Sequence, residues 1–415
     1  MAKVVLLHYA APPVVGGVEL VLAHQAELFA NAGHTVEVIT GRGSSWDPRI
    51  EVKVIPEIDS RHAKVLKYKK ELDKGIIPAE FSVFKEHVYQ ILRKVLAGAD
   101  LLIAHNVASL HKNLALTAAL RSFAEHPNGT QVVLWHHDFA WNSQRYQEEL
   151  HPGYPWDLLK TDWPGVRQVT ISDARQEEMS EIYRIPTSQI KVIANGIDPS
   201  EFQNLAPATR KLVEQFQLNL AFPLILTPVR ITRRKNLEFG LHILAELLKL
   251  MPAARWVVTG PVGAHNPENL AYFKQLTDLR QQLKLDETAI FMAEYHPEGL
   301  TNGQIGDFYQ LADALLITSR EEGFGLPIIE AGLTRLPVFA SDLQPLHALG
   351  GEWATYFQLN DSPADIAADI SLKLLSDPIY RLREHIRANF TWDAIYQNEI
   401  APLLNNETRA EVSEC

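Results

Sequence analysis

The stretch from Ala314 to Glu330 reads Ala-Leu-Leu-Ile-Thr-Ser-Arg-Glu-Glu-Gly-Phe-Gly-Leu-Pro-Ile-Ile-Glu. Its first five residues, Ala314–Thr318, form an apolar run typical of a short buried strand. Gly323 and Gly325 then let the backbone approach a ligand closely, and Pro327 suits the first turn of a helix. The stretch therefore predicts a strand–loop–helix unit whose helix start offers free N–H groups and a positive dipole end to an anion.

The same alternation of apolar runs and helical patterns recurs along the chain. In the first half the strand candidates are Val4–His8, Val36–Thr40, Leu101–His105, Gln131–Trp135 and Gln168–Ile171, with a helical pattern over Gly17–Ala32 that ends at Gly33. In the second half they are Leu224–Pro228, Arg255–Thr259, Ile290–Met292, Ala314–Thr318 and Val338–Ala340, with a helical pattern over Asn236–Met251. Strands separated by helices indicate βαβ units and parallel sheets. We therefore expect an α/β fold with two Rossmann-like, doubly wound domains.

The two series meet near Gly196–Phe216, which sets the predicted domain boundary. We expect an N-terminal domain of residues 1–198 and a C-terminal domain of residues 199–389. The last helix candidate, Trp392–Leu404, follows the strands of the second series. Residues from about 390 to 405 could therefore cross back and pack onto the first domain.

Composition narrows the class of protein. The formal net charge of −11 argues against a nucleic-acid binder, although a local basic cluster can still hold one anionic ligand. The single cysteine, Cys415, permits no intrachain disulfide and favours a reducing compartment. His8, Pro12 and Pro13 interrupt the first apolar run, so a secretory leader is not expected. We predict a soluble or peripheral cytoplasmic protein, with a disordered tail at most over Asn406–Cys415.

A second informative segment, Arg230-Ile-Thr-Arg-Arg-Lys235, follows the strand candidate Leu224–Pro228. Three arginines and a lysine at a strand's carboxyl end suggest a diphosphate site. The alternative is a solvated basic turn, but the glycine loop in the same half favours the phosphate interpretation. Two carboxylates beside an anion site, Glu322 and Glu330, fit ligand hydroxyl groups rather than phosphate.

Together these segments resemble the retaining GT-B glycosyltransferases, in particular glycosyltransferase family 4. Glu322 and Glu330 are separated by seven residues, as in the family's Glu-x7-Glu signature, and Arg230 and Lys235 have its Arg-x4-Lys spacing. Two further segments are similar to family motifs: Asn195-Gly-Ile-Asp198 to Asn-Gly-Val-Asp, and Gly16-Gly-Val-Glu19 to the N-terminal Gly-Gly-x-Glu loop. The resemblance spans nearly the whole chain.

The resemblance implies a donor site in a cleft between the two domains. Arg230 and Lys235 would hold the donor diphosphate and stabilise the leaving group. Glu322 would bind the donor sugar and Glu330 the ribose. The other donor-binding positions it implies are Gly16, Gly17, Gly260, Tyr295, Gly323, Phe324, Gly325 and Leu326. Gly260 stands in Thr-Gly-Pro, where the family more often has Gly-x-Gly.

The strand candidate Gln131–Trp135 is followed by His136-His137-Asp138. The family often has His-Asp at this strand end, with the histidine facing the reacting sugar, and this alignment favours His137 as the catalytic histidine. The second histidine departs from the pattern. Which of the two faces the donor therefore stays open, and either could be a hydrogen-bonded structural residue.

The segment from His136 to Trp163 mixes aromatic and polar residues with Pro and Gly. A long connection at the carboxyl edge of the first sheet is where an acceptor should enter. The expected acceptor-binding residues are His136, Asp138, Trp141 and Arg145, with Tyr146, Tyr154 and Trp156 as further flat faces for sugar stacking. The alternative is that these aromatic side chains pack the loop onto the domain.

The resemblance implies transfer of a hexose, with retention, from a UDP-, GDP- or ADP-linked sugar to a sugar, glycoside or small-molecule acceptor. The leaving phosphate would assist the acceptor, and the positive groups around it would be the main catalytic contribution. No Asp-x-Asp stands at a strand end, and no His/Cys cluster has metal spacing. We expect no obligatory metal or other cofactor.

Other classes remain as alternatives. A dinucleotide-dependent oxidoreductase is disfavoured because Gly16-Gly17 lacks the Gly-x-Gly-x-x-Gly pattern. A sugar-nucleotide epimerase, a phosphorylase or a non-catalytic sugar-nucleotide-binding scaffold would share the fold. The basic run Arg61–Lys70 could touch an anionic membrane and so favour a lipid acceptor, but a solvated helix face is preferred given the net charge of −11.

Overall fold

The computed structural model describes residues 1–264 and 266–405. The chain folds into two compact units, Met1–Ile197 together with the chain from Phe390 onward, and Asp198–Asn389. Each unit holds one parallel sheet with helices between its strands. This confirms the predicted α/β class with two Rossmann-like, doubly wound units, which are the components of the GT-B fold. The cleft between the two units stays a prediction. The expected tail, Asn406–Cys415, lies outside the described residues.

The first unit contains a seven-stranded sheet. Its strands are β1 (Lys3–His8), β2 (Thr35–Thr40), β3 (Ile50–Val54), β4 (Leu101–His105), β5 (Gln131–His136), β6 (Arg167–Thr170) and β7 (Ile190–Val192). The helices between them are α1 (Gly17–Asn31), α2 (Ala63–Leu72), α3 (Phe81–Val95), α4 (Leu114–Glu125) and α5 (Asp173–Tyr183). The order is β3-β2-β1-β4-β5-β6-β7, and every neighbouring pair is parallel.

Both faces of this sheet are buried. Val5 and Leu7 of β1 contribute to a hydrophobic cluster with Phe84 of α3. Val4 and Leu6 contribute to a second cluster on the opposite face. Because successive strand side chains alternate between faces, a sheet covered on both sides needs an almost continuous apolar run, which is what β1 supplies.

The second unit contains a six-stranded sheet. Its strands are β8 (Leu224–Thr227), β9 (Arg255–Val258), β10 (Ala289–Phe291), β11 (Ala314–Ile317), β12 (Val338–Ser341) and β13 (Thr355–Phe357). Its helices are α6 (Pro199–Phe202), α7 (Pro207–Gln215), α8 (Leu237–Leu250), α9 (Glu268–Gln282), α10 (Asn302–Leu311), α11 (Leu326–Thr334), α12 (Gln344–Gly350), α13 (Pro363–Ser376) and α14 (Pro378–Asn389). The order is β10-β9-β8-β11-β12-β13, again all parallel.

The strand order of the second sheet determines where neighbouring loops diverge. The chain starts at β8, moves outward through β9 and β10, and returns to the other side of β8 with β11. Loops on the two sides of such a switch point diverge and leave a crevice at the carboxyl ends of the strands. The loops that border it are residues 228–236, after β8, and residues 318–325, after β11.

The C-terminal segment belongs to the first unit. Helix α15 (Trp392–Ile395) runs into a wider π-helical turn, Tyr396–Ile400, and then a tighter 3-10 turn, Ala401–Leu404. The sequence predicted one helix over Trp392–Leu404; the segment is helical, but its hydrogen-bonding pattern changes twice. Its apolar side chains join the cluster that contains Val4 and Leu6.

Three strands were missed by the sequence prediction, namely β3, β7 and β13. Each lies at an edge of its sheet.

Among the helices of the described residues, none combines the length and the apolar content that a membrane span requires.

Candidate functional site

The loop after β8 presents basic side chains at the switch point of the second sheet. Lys235 is only 8% exposed, and its Nζ lies 2.5 Å from Glu322 Oε1. Arg230, five positions earlier in the same loop, is exposed to solvent. The cluster therefore combines one buried, paired cation with exposed arginines, among them Arg230.

The loop after β11 is bound to the loop after β8 by several hydrogen bonds. Ser319 Oγ donates to Glu322 Oε1 at 2.7 Å. Thr318 Oγ1 donates to the Lys235 carbonyl oxygen at 3.0 Å, and Arg320 N–H donates to the Arg234 carbonyl oxygen at 2.7 Å. These contacts fix the position of Glu322 relative to Lys235.

Helix α11 begins directly after this loop. Gly325 occupies its N-cap at φ 104°, a left-handed conformation that favours glycine, and no side chain caps the helix. A Cβ on Gly323 would meet no heavy atom within 4 Å, and Phe324 and Leu326 are more than half exposed. The N-terminus of α11 thus has no side-chain cap, and its binding of an anion stays a prediction.

Glu330 lies one turn into α11 and has a fixed partner. The Tyr309 hydroxyl of α10 donates to Glu330 Oε2 at 2.5 Å. Burial and this carboxylate raise the pKa of Tyr309, so the phenol keeps its proton and remains a donor. Sequence reasoning missed Tyr309, because nothing in the motif signals a partner 21 residues away.

Gly260 supports the loop that carries Arg230. A Cβ at position 260 would lie 2.1 Å from the Val229 carbonyl oxygen and 2.7 Å from Arg230 N. Ile231 N–H donates to the Pro261 carbonyl oxygen at 2.9 Å, which joins the loops after β8 and β9. Glycine is therefore required here by the close approach of two backbones.

Tyr295 lies after β10, at the edge of the same sheet. Its ring is half exposed and meets Phe216 edge-on, with centroids 4.7 Å apart. The neighbouring Arg280 is held by Glu294 through Nη1 and Nη2, at 2.6 and 2.8 Å. Tyr295 thus keeps one side open to solvent, and its contact with a base stays a prediction.

In the first unit, the Gly16-Gly17 pair begins helix α1. Gly16 is its N-cap, and the Glu19 carboxylate folds back so closely that a Cβ on Gly16 would lie 2.2 Å from Glu19 Oε2. Glu19 Oε1 in turn lies 3.9 Å from Nε2 of His8, at the end of β1. This loop is therefore linked to a histidine that the sequence analysis did not select.

The two histidines after β5 lie in different surroundings. His136 is 1% exposed, its Nε2 lies 2.9 Å from Gln168 Oε1, and its ring stacks on Phe139. His137 is 6% exposed, and its Nε2 lies 3.2 Å from Nδ1 of His105. The enclosure of His136 argues against the acceptor-binding role expected for it and favours His137 as the histidine that meets a substrate.

Burial makes these histidines neutral near pH 7. Desolvation lowers the pKa of His136 and of His137 to about 4 in each case. It also lowers the pKa of His8 to about 3 and that of His105 well below its usual value. A neutral imidazole has one N–H and one acceptor nitrogen, so the hydrogen bonds of this cluster depend on the tautomers.

The turn after β5 is anchored by Asn106, which directly follows β4. Its Oδ1 accepts from the His137 N–H at 2.7 Å and from the Asp138 N–H at 3.3 Å. Asn106 adopts φ 56°, a left-handed conformation that asparagine tolerates better than most residues. The sequence offered a signal for this region, since His8 and His105 are polar residues at the ends of predicted strands.

The proposed acceptor segment divides into packed and open side chains. Trp156 is 3% exposed, so its ring is not available for stacking, contrary to the expectation. Trp141 is half-buried, donates from Nε1 to the Trp156 carbonyl oxygen at 3.4 Å and lies under Lys160 Nζ. Arg145 is exposed over the Tyr146 ring. Packing within the segment therefore accounts for the burial of Trp156 and for the partial burial of Trp141. The exposed side chain of Arg145 can meet a ligand.

One group of three potential metal ligands occurs among residues 1–264 and 266–405. It consists of Asp73, His111 and Glu149. The Lys69 ammonium lies 2.7 Å from carboxylate oxygens of both acidic residues, so a cation of the protein already occupies the position between them. This group gives no reason to revise the expectation that no metal is required.

Comparisons with known proteins identify the family of the chain. The family model described as Glycosyl transferases group 1 matches residues 209–391, and the model described as Glycosyltransferase Family 4 matches residues 15–201. The two matches cover most of both units. The chain belongs to the group 1 glycosyltransferases of glycosyltransferase family 4, and it is an enzyme of the transferase class.

Individual relatives are distant. The mannosylglucosylglycerate synthase of Petrotoga mobilis is 23% identical over 92% of this chain and 95% of its own. The D-inositol 3-phosphate glycosyltransferase of Nocardiopsis dassonvillei is 23% identical over 89% of this chain and 83% of its own. The solved structure of Anabaena HepE in complex with UDP and glucose covers 97% of this chain and 99% of its own at 18% identity, with a TM-score of 0.35.

Proposed function

We propose that this glycosyltransferase moves a hexose from a nucleoside-diphosphate sugar to a hydroxyl group of a sugar, glycoside or small-molecule acceptor, with retention of configuration. The observation that carries the proposal is the arrangement of Arg230, Lys235 and Glu322 beside the open N-terminus of α11. Two cations and free helix N–H groups complement a diphosphate, and the carboxylate complements sugar hydroxyls.

In this proposal, donor binding changes the partner of Lys235. Phosphate oxygens bind its ammonium group, and Glu322 becomes free to accept hydrogen bonds from the sugar. As the bond between the anomeric carbon and the phosphate oxygen breaks, Arg230 and Lys235 stabilise the charge that develops on the leaving diphosphate. A phosphate oxygen accepts the proton of the acceptor hydroxyl as that hydroxyl attacks the same face of the sugar. No metal enters this scheme.

The remaining donor residues complete the proposed site. Glu330, held by Tyr309, accepts hydrogen bonds from the ribose. The loop glycines and the exposed residues at the start of α11 approach the sugar and phosphates, and Tyr295 contacts the base. His137 donates a hydrogen bond to the reacting sugar.

The acceptor is proposed to be small and rich in hydroxyl groups. The names of two relatives, a mannosylglucosylglycerate synthase and a D-inositol 3-phosphate glycosyltransferase, support an acceptor of this kind that also carries an acidic group. Arg145 is exposed and is a suitable partner for such a group, with Asp138 and Trp141 beside it in the chain. A lipid acceptor at a membrane surface remains the alternative for the basic run on α2.

Calorimetric binding of UDP, GDP and ADP tests the diphosphate site. For the nucleotide that binds the wild-type protein, Arg230→Ala and Lys235→Ala are each expected to weaken binding by about tenfold or more, because each removes a charge-assisted hydrogen bond. Arg381→Ala is the control, since this arginine is exposed on α14, outside the basic loop after β8. Wild-type affinity in both Arg230→Ala and Lys235→Ala would show that the diphosphate binds elsewhere.

Product analysis separates the remaining classes of enzyme. Transfer with retention predicts that the new glycosidic bond has the donor's anomeric configuration, which NMR of the product shows directly. Epimerised nucleotide sugar without an acceptor would indicate an epimerase, and release of a sugar phosphate from a glycan would indicate a phosphorylase. Binding without any turnover would favour a scaffold.

A further inference from the structure

The buried contact between two histidines carries an inference about a residue outside the family motifs. His105 Nδ1 and His137 Nε2 are 3.2 Å apart, and the two side chains are 0% and 6% exposed. Both imidazoles are neutral near pH 7, because burial lowers both pKa values. One ring must therefore donate a hydrogen bond to the other. The direction of this bond fixes the tautomer of both rings.

The other nitrogen of His105 decides the direction. Nε2 of His105 is buried and has no hydrogen-bond partner among residues 1–264 and 266–405. A proton there would be a buried N–H without an acceptor, which is rarer and more costly than an acceptor without a donor. The proton of His105 therefore belongs on Nδ1, where it is donated to His137 Nε2.

We propose that His105 is a positioning residue that holds His137 in its Nδ1–H tautomer. With Nε2 accepting from His105, the single proton of neutral His137 lies on Nδ1. No hydrogen bond joins that Nδ1 to another group in the part of the chain that the structure describes. His137 consequently presents an N–H donor to a ligand and has no free acceptor nitrogen to serve as a general base.

The surrounding residues reinforce this arrangement. Asn106, the next residue after His105, fixes the backbone of His137 through its Oδ1. The His105 carbonyl oxygen accepts from Nδ1 of His8 at 2.9 Å, which fixes the strand end itself. Ring and backbone of His137 are thus both held from the end of β4, so its donor is oriented before a ligand arrives.

The consequence for catalysis rests on the proposed function, in which His137 contacts the reacting sugar. An N–H donor suits a sugar hydroxyl oxygen, and it leaves the acceptor's proton to the leaving phosphate. Loss of the His105 hydrogen bond would let the His137 ring adopt the other tautomer. The expected effect is a lower kcat with little change in donor affinity, because the fold and the diphosphate contacts are retained.

Long-range ¹H–¹⁵N spectra of the full-length protein labelled in histidine test the tautomer directly at pH 8, with His137→Gln as the assignment variant. The wild-type protein is expected to show His137 protonated at Nδ1. His105→Phe, which keeps an aromatic ring but removes the donor, should shift His137 toward Nε2–H and lower kcat about tenfold, the lower end of the loss that follows removal of the partners of metal-ligating histidines. His105→Asn keeps an N–H near the Nδ1 position, so its His137 tautomer and its kcat should match those of the wild-type protein. His111→Phe, at another buried histidine, is the control and should leave His137 unchanged.

The outcomes separate the two proposals. An Nε2–H tautomer of His137 in the wild-type protein, or an unchanged tautomer in His105→Phe, would overturn the positioning role. The wild-type measurement is decisive even if that variant fails to fold. A tautomer that changes as expected while kcat does not would support the positioning role and show instead that the proposed contact of His137 with the sugar is wrong.

Discussion

Among single residues, Lys235 and Glu322 combine a structural and a proposed functional role. Their side chains are 9% and 7% exposed, so each charge depends on the other for compensation. Removing one member of such a buried pair leaves an uncompensated charge, whereas replacing both removes the requirement. The stability of this loop pair is thus coupled to the same contact that the donor is proposed to open.

Urea unfolding of single and double variants checks this coupling. Lys235→Met is expected to lower the free energy of unfolding by about 3 kcal/mol, because it leaves the Glu322 carboxylate buried without a counter-charge. Lys235→Met combined with Glu322→Gln should lose clearly less than the single change. Additive losses would mean that the two charges are solvated independently and that the buried pair does not persist in solution.

The histidines predict a loss of stability in mild acid. His136 and His137 have pKa values of about 4 in the folded state, against about 6.5 when unfolded. Between those values the unfolded state binds more protons, so stability is complete above pH 6.5 and falls as the pH is lowered toward 4. Each histidine should contribute a loss of about 2 kcal/mol at pH 5.

Urea midpoints measured from pH 7.5 to pH 5 provide the test. His136→Gln should flatten the dependence, because glutamine does not titrate and still offers an amide to Gln168. His126→Gln, at an exposed position, should leave the slope unchanged. An identical slope in His136→Gln and the wild-type protein would contradict the assignment.

The motifs predicted which residues of the candidate site share a strand end, but not their contacts. Arg230 and Lys235 follow one strand, and Glu322 and Glu330 follow another, as the sequence indicated. The contact between Lys235 and Glu322 depends on β8 and β11 being neighbours in the sheet. The order of the strands cannot be inferred from either sequence segment. The same holds for Tyr309, which reaches Glu330 from a different helix.

Among the elements, the buried strands were predictable, including the edge strand β10, whereas the three partly exposed edge strands β3, β7 and β13 were not. Strand β4 was predicted with the bounds that the structure has, because Leu101–His105 is a continuous apolar run flanked by turns. In strand β3 only Ile50 is buried, and β7 and β13 have three residues each. Short, half-exposed strands carry little periodicity, and their pairing comes from the neighbouring strand rather than from their own sequence.

A substitution of Gly260 tests how closely the loops after β8 and β9 pack. Gly260→Ala places a Cβ 2.1 Å from the Val229 carbonyl oxygen, so the loop bearing Arg230 must move. We expect a loss of about 2 kcal/mol in stability, as for other overpacked positions, together with weaker nucleotide binding. Thermal unfolding and calorimetry measure the two effects.

Gly306→Ala is the matched control, since a Cβ there meets no heavy atom within 4 Å and the residue lies inside α10. It should stabilise the helix by about 0.5–1 kcal/mol and leave nucleotide binding unchanged. A Gly260→Ala protein that binds nucleotide and unfolds like the wild type would show that the two loops are not closely packed in solution.

For the whole molecule, the segment after Phe390 links the end of the chain to its beginning. Trp392 is 6% exposed and packs with Val21 and Leu28 of α1. Its ring also lies so close to Gly196 that a Cβ there would be 2.6 Å away. The first unit therefore depends on residues that follow the complete second unit in the sequence.

Trp392→Ala is predicted to destabilise the first unit by about 3–5 kcal/mol, because it leaves a large cavity beside α1. Amide hydrogen exchange followed by mass spectrometry should show faster exchange in residues 1–197 and unchanged exchange in residues 198–389. Trp353→Ala, at a tryptophan that is 85% exposed in the second unit, should alter neither. Equal acceleration in both units would contradict the division of the chain at Ile197.

This return of the chain sets an order of events during synthesis. The second unit is continuous, so all of its strands and helices have left the ribosome before Trp392 does. The first unit begins earlier, yet its core still lacks Ile395, Ile400 and Leu403 at that time. The N-terminal half must therefore stay partly uncovered until the segment that contains these residues has been made, and the second unit is the first that can complete its fold.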